Sequence, residues 1–182
     1  KHRAAWAKLW ESDIIIEGDL QAQKEVRSML YHLYSFSREG IAQSLSPMGL
    51  SGLGYNGHVF WDTEMFMLPP VLILQPQMAR SMLEYRFERL DEARRNASAY
   101  GFAGAMFPWE SASTGAEECP VTSLSGTFQH HVTADVAIAA WNYWLVTQDR
   151  EWLESRGWPL LKATAEFWTS RVEKGEDGRY HI

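Results

Sequence analysis

The sequence predicts an all-α chain. Apolar residues recur at helical spacing along most of its 182 residues, no strand run interrupts them convincingly, and helix pairs alternate with long connections. Hydrophobic residues make up 46% and charged residues 22%, so a core can form and disorder is excluded.

Each element follows from its own residues. Trp6, Leu9 and Trp10 predict a first helix over 3–12. Ile14–Ile16 is a β-branched run suited to a brief extended link. Asp19 is placed to cap a second helix that carries Val26, Met29, Leu30 and Leu33 on one face and ends near Gly40. Residues 41–61, rich in Gly, Ser and Pro, have no periodicity and form the first long loop. Asp62-Thr63-Glu64 supplies acids to the start of a third helix, which runs to Gln75. Pro76 opens a fourth, with Met78, Met82, Leu83, Tyr85, Phe87 and Leu90 on its face, lasting to Tyr100. Residues 101–128 form the second long loop. A fifth helix over 130–147 aligns Val132, Val136, Ala139, Ala140 and Tyr143. A turn at 149–156 leads to Pro159 and a last helix to Lys174. Asp177-Gly178 is a turn signal, and Tyr180–Ile182 reads as an extended segment. Trp6, Trp10, Trp141, Trp144 and Trp168 fall at helical positions and are expected in the core.

Composition excludes several functions. The net charge of -6, from 17 bases and 23 acids, argues against nucleic-acid binding. A single cysteine rules out an internal disulfide. No apolar run reaches the ~18–20 residues of a membrane span. The chain opens on Lys1 with no signal-peptide pattern, and both ends read as cuts in a larger protein. The compartment stays unassigned.

Long loops without structure of their own tend to carry function, and both loops here hold unusual residues. Gly52-Leu53-Gly54-Tyr55-Asn56-Gly57 matches G-x-G-x-x-G, but the strand before and helix after that a dinucleotide site needs are missing. The glycines suit a tight path near a ligand. His58-Val59-Phe60-Trp61-Asp62-Thr63-Glu64 then sets two acids and a histidine among large rings. An acidic helix start explains the acids alone. Together with the rings they suit a sugar, which offers a C–H face to stack and hydroxyls to donate. The second loop, Phe107–Pro120, repeats the theme with Trp109 beside Glu110 and the adjacent acids Glu117 and Glu118. A solvated acidic loop would explain one such pairing; its repetition points to a shared carbohydrate site.

Other motifs carry less. His130-His131 with Asp135 lacks the further ligands that zinc requires, and no metal is expected. Asn96-Ala97-Ser98 fits a glycosylation acceptor but falls within a helix. Cys119 has no base near it in sequence to activate it.

Taken together, Asp13–Asp19, Gly57–Glu64, the Phe107–Pro120 loop and Gln129–Ala137 resemble glycoside hydrolase family 65, in order and across nearly the whole chain. The resemblance implies an (α/α)6 barrel, of which residues 1–182 would be the N-terminal half, with the long loops forming the active-site face. It implies inverting chemistry on α-glucosides, without a cofactor. Trp61 and Asp62 would hold the non-reducing glucose, Glu64 completes that motif, and Trp109, Glu110, Glu117 and Glu118 would shape the same pocket or its neighbour. His131 matches the family's loop-to-helix histidine. The general acid would be a Glu following Ile182, and the rest of the same protein would complete the barrel.

Three functions compete on this reading. The favoured one is an inverting hydrolase of α-linked glucosyl disaccharides, kojibiose-like or glucosyl-galactose, because the second loop resembles the hydrolase branch. Inversion needs an acid and a base roughly 6.5–9.5 Å apart with water between them. The second is a phosphorylase releasing β-glucose 1-phosphate, with inorganic phosphate as co-substrate. The third is a non-catalytic helical carbohydrate-binding or interaction module; repeat arrays show a fixed period, and none is present.

Overall fold

The computed structural model describes all 182 residues, and helices dominate it. Helix α1 (His2–Leu9) is followed by α2 (Leu20–Phe36), whose N-cap Asp19 accepts a hydrogen bond from the Ala22 amide. The Ile14–Ile16 link is extended and tied down by Gln23, which accepts from the Ile16 amide and donates to the Ile14 carbonyl.

In the first long loop, Gly54–Gly57 forms a short 3-10 turn in which Tyr55, Asn56 and Gly57 all have positive φ. No strand precedes it and no helix starts directly after it, which removes the dinucleotide reading. The third helix begins as a π-helical turn, Thr63–Met67, and continues as α3 (Leu68–Leu74). Such π segments recur at functional sites.

The predicted fourth helix is two: α4 (Pro76–Glu88) and α5 (Leu90–Ala99), broken at Arg89. The apolar spacing of Ala79, Leu83, Leu90, Ala93 and Ala97 continues in phase across the break, which hides it from sequence. What breaks it is tertiary: Arg89 lies over the Tyr85 ring and reaches the Ala112 carbonyl of the second loop.

The second loop contains one short helix that periodicity did not reveal, α6 (Ser125–Phe128). Helix α7 (His131–Thr147) packs against α3, α4 and α9 and is the centre of the fold. The predicted turn after it is also partly helical, with α8 (Arg150–Trp152) and a π turn at Leu153–Gly157 leading into α9 (Trp158–Arg171). The last helix stops at Arg171, short of Lys174. Glu173–Lys174 instead forms β1, paired antiparallel with β2 (Tyr180–His181).

The core joins Leu30 and Tyr34 of α2, Leu68 and Leu72 of α3, Met82 and Leu83 of α4, Val132, Val136 and Tyr143 of α7, and Leu160 of α9. The second loop enters it through Ala105 and Phe107. Gly104 makes that entry possible: at φ +69, a β-carbon there would collide with the Ala163 carbonyl and the Phe167 backbone nitrogen of α9.

Tryptophan burial corrects the expectation for the core. Trp152, from the predicted turn, is wholly buried, whereas Trp141 is 47% exposed and Trp6, Trp10, Trp144 and Trp168 are half-buried. Trp141 shares an exposed stripe on α7 with Ile138 and Leu145, opposite the buried Val132, Val136 and Tyr143. A helix apolar on both faces packs on both in a complete fold. No helix is long and apolar enough to cross a membrane.

Candidate functional site

The two long loops meet where the third helix and α7 begin. A pair of backbone hydrogen bonds between Val59 and Ser111, at 2.8 and 2.9 Å, ties the first loop to the second. The contact between His58 Nδ1 and Glu110 Oε1 at 2.7 Å, a hydrogen bond from the ring to the carboxylate, adds a second tie. Tyr85 of α4 clamps the junction, its hydroxyl 2.9 Å from Ser111 Oγ and donating to the Ala112 carbonyl at 2.7 Å.

Two buried threonines anchor the helix starts. Thr63 donates to the Leu45 carbonyl at 2.7 Å, holding the first loop over the π turn. Thr133 Oγ1 accepts from the Phe107 amide at 3.0 Å, holding the second loop over α7. Satisfied hydrogen bonds at such positions keep irregular backbone stable inside a fold.

This framework brings Trp61, Trp109 and His131 together. The His131 ring meets Trp61 edge-to-face at 4.9 Å between centroids and Trp109 at 5.9 Å. Trp109 also packs edge-on to Phe60, and Trp61 to Phe66. Asp62, beside Trp61, is half-buried at the helix start, and its carboxylate makes no capping bond. Aromatic faces beside an uncommitted carboxylate can stack a ring-shaped ligand and accept its hydroxyl hydrogens.

The other acids occupy different positions. Glu64 is 2% exposed and lies beneath the π turn, with both oxygens held by Arg86: Nε donates at 2.7 Å and Nη2 at 2.9 Å. It therefore holds the turn and is not free to meet a ligand. Glu117 is likewise committed, accepting from the amides of Trp109 at 2.7 Å, Glu110 at 3.0 Å and Cys119 at 3.1 Å. It folds the second loop around itself and sets Trp109. Glu110 is largely buried, with Oε1 on His58 Nδ1 and no protein donor on Oε2. Glu118 is exposed and held through its backbone amide, which donates to the Glu110 carbonyl.

Arg86 is the residue that sequence reading missed. Burial alone lowers its affinity for a proton, but the charge and hydrogen bonds of Glu64, with smaller contributions from Tyr85 and Asp135, raise it above the usual arginine value. A charged residue in phase with the apolar Ala79, Leu83 and Leu90 was the available signal. His130, beside His131, ties the second loop to α9: its Nε2 donates to the Thr127 carbonyl at 2.8 Å and its Nδ1 accepts from Arg171 Nε at 3.2 Å. Asn96 donates to the Met106 carbonyl from within α5. No three His, Cys, Asp or Glu side chains converge in a metal-holding group.

Residues 27–182 match the glycosyl hydrolase family 65 central catalytic domain. The chain is 66% identical over its whole length to a kojibiose hydrolase of Flavobacterium johnsoniae, covering 27% of that protein. It is 46% identical, over 94% of its length, to a protein-glucosylgalactosylhydroxylysine glucosidase of Dictyostelium discoideum, covering 25% of that protein. A solved structure assigned as a kojibiose phosphorylase from human microbiome superposes on 92% of the chain with a TM-score of 0.82 at 27% identity, the chain covering 22% of it. The chain thus spans about a quarter of the length of its curated relatives. Its fold is all-α, part of an (α/α)6 barrel, and the chain belongs to glycosyl hydrolase family 65.

Proposed function

We propose that the protein carrying this chain is an inverting hydrolase of α-linked glucosyl disaccharides, kojibiose-like or glucosyl-galactose, and that residues 1–182 are the N-terminal half of its (α/α)6 barrel. The single observation that carries the proposal is the surface formed by Trp61, Trp109 and His131 beside the uncommitted carboxylate of Asp62. In this reading the tryptophans stack on the glucose and Asp62 accepts its hydroxyl hydrogens, which orients the glucosidic bond toward the acid and base. The acid and base belong to the rest of the protein, and the stripe of Ile138, Trp141 and Leu145 packs against it. The hydrolase assignment is supported by the name of a relative at 66% identity.

The second reading, a disaccharide phosphorylase, is favoured by the structural likeness to a protein assigned as a phosphorylase. There phosphate replaces the attacking water and no general base is needed. Incubating the full protein with kojibiose, with and without inorganic phosphate, separates the two. Phosphate-independent release of glucose is expected, with β-glucose as the first product. Glucose 1-phosphate appearing only with phosphate would overturn hydrolysis, and no turnover of any α-glucosyl disaccharide would overturn both.

A further inference from the structure

Asp135 sits one helical turn after His131 on α7 and is 7% exposed. Its Oδ2 lies 2.7 Å from His131 Nδ1. A carboxylate only accepts, so Nδ1 carries a hydrogen, and in a neutral imidazole the other nitrogen, Nε2, is then an acceptor. The His131 side chain is 39% exposed and touches both Trp61 and Trp109, while its bond within the chain runs through Nδ1.

A buried carboxylate is costly unless paired, and a surface i,i+4 pair would not need burial. The wholly buried Arg86 feels the charge of Asp135, and Arg86 Nη1, unlike Nε and Nη2, has no hydrogen-bond partner.

We propose that Asp135 is a positioning residue: it holds His131 in the Nδ1–H tautomer, so that Nε2 accepts a hydroxyl hydrogen from a sugar seated beside Trp61 and Trp109. The proposal rests on the sugar-site reading above for its ligand, but the tautomer itself is a property of the resting protein. A neutral imidazole held this way accepts from a hydroxyl and rejects a ligand group that can only accept, which adds selectivity to the stacking surface.

The test uses the full protein labelled with 15N-histidine, the His131 resonances being assigned by their loss in His131→Gln. In the wild type, Nε2 is expected to show the shift of an unprotonated ring nitrogen. Asp135→Asn offers an amide N–H to Nδ1, and is expected to move the hydrogen to Nε2. Its kcat/KM on kojibiose should fall roughly tenfold, the size of one good hydrogen bond lost with its partner left unpaired. In a His131→Gln background the same change should add almost nothing, because Asp135 acts through the ring. A wild-type Nε2 that carries a hydrogen overturns the proposal even if Asp135→Asn fails to fold. So does an unmoved tautomer in Asp135→Asn, or losses that add in the double variant. If the wild type turns over no glucoside, the activity reading falls, while the nitrogen shifts still decide the role of Asp135.

Discussion

Arg86 grips Glu64 from two nitrogens in the dry interior, at 2.7 and 2.9 Å, with both side chains 1% exposed. The pair fixes the π turn that follows Trp61 and Asp62. Removing one member leaves the other buried and uncompensated, which costs about 3–5 kcal/mol. Glu64→Leu and Arg86→Met are each expected to lower the denaturation midpoint strongly. The double variant Glu64→Leu/Arg86→Met should recover most of the loss, since an apolar pair of similar volume carries no charge to desolvate. Chemical denaturation of the four proteins measures this cycle directly, and additive losses would refute the pairing.

Asp62 differs from Glu64 although only one residue separates them. Its carboxylate caps nothing. Asp62→Ala should therefore leave the melting temperature nearly unchanged while kcat/KM on kojibiose falls roughly tenfold or more, the loss of a charge-assisted hydrogen bond of about 1.5–3 kcal/mol. Wild-type turnover in a folded variant would remove Asp62 from the site.

Glu117 gathers three amides of the second loop, those of Trp109, Glu110 and Cys119. Glu117→Ala strands these donors and frees Trp109 from its position. The expected outcome is faster limited proteolysis within 109–120 and a raised KM. Wild-type cleavage rates would show that the loop is held by its other contacts.

His130 makes stability depend on pH. Burial lowers its affinity for a proton, the Thr127 bond opposes this in part, and the charge of Arg171 lowers it further. The folded value thus lies below the ordinary 6.5. The unfolded chain then binds more protons than the folded one between the two values, so the contribution is present above about pH 6.5 and is lost as the pH falls toward the folded value. Wild type should lose more melting temperature than His130→Gln between about pH 7 and pH 5. Equal slopes would show that His130 is not held neutral.

Much of the fold was legible in local pattern. The cap at Asp19, the prolines at 76 and 159 and the apolar spacing of α7 mark helices because they act within a few residues. The break at Arg89 was not legible, because the carbonyl that draws Arg89 away comes from Ala112 in a distant loop. Nor was the burial of Trp152, which falls within the predicted turn, or the exposure of Trp141, whose helical position suits either face.

For the site, sequence alone determined the residue types: two tryptophan–acid pairs in two long loops, and a histidine at a helix start. Only the tertiary structure decided which acids are free. Glu64 and Glu117 are held by Arg86 and by loop amides, while Asp62 keeps its carboxylate uncommitted. The reason is physical. A carboxylate is equally able to bind a ligand, a guanidinium or a backbone amide, and the choice depends on which partner the fold brings within hydrogen-bond reach.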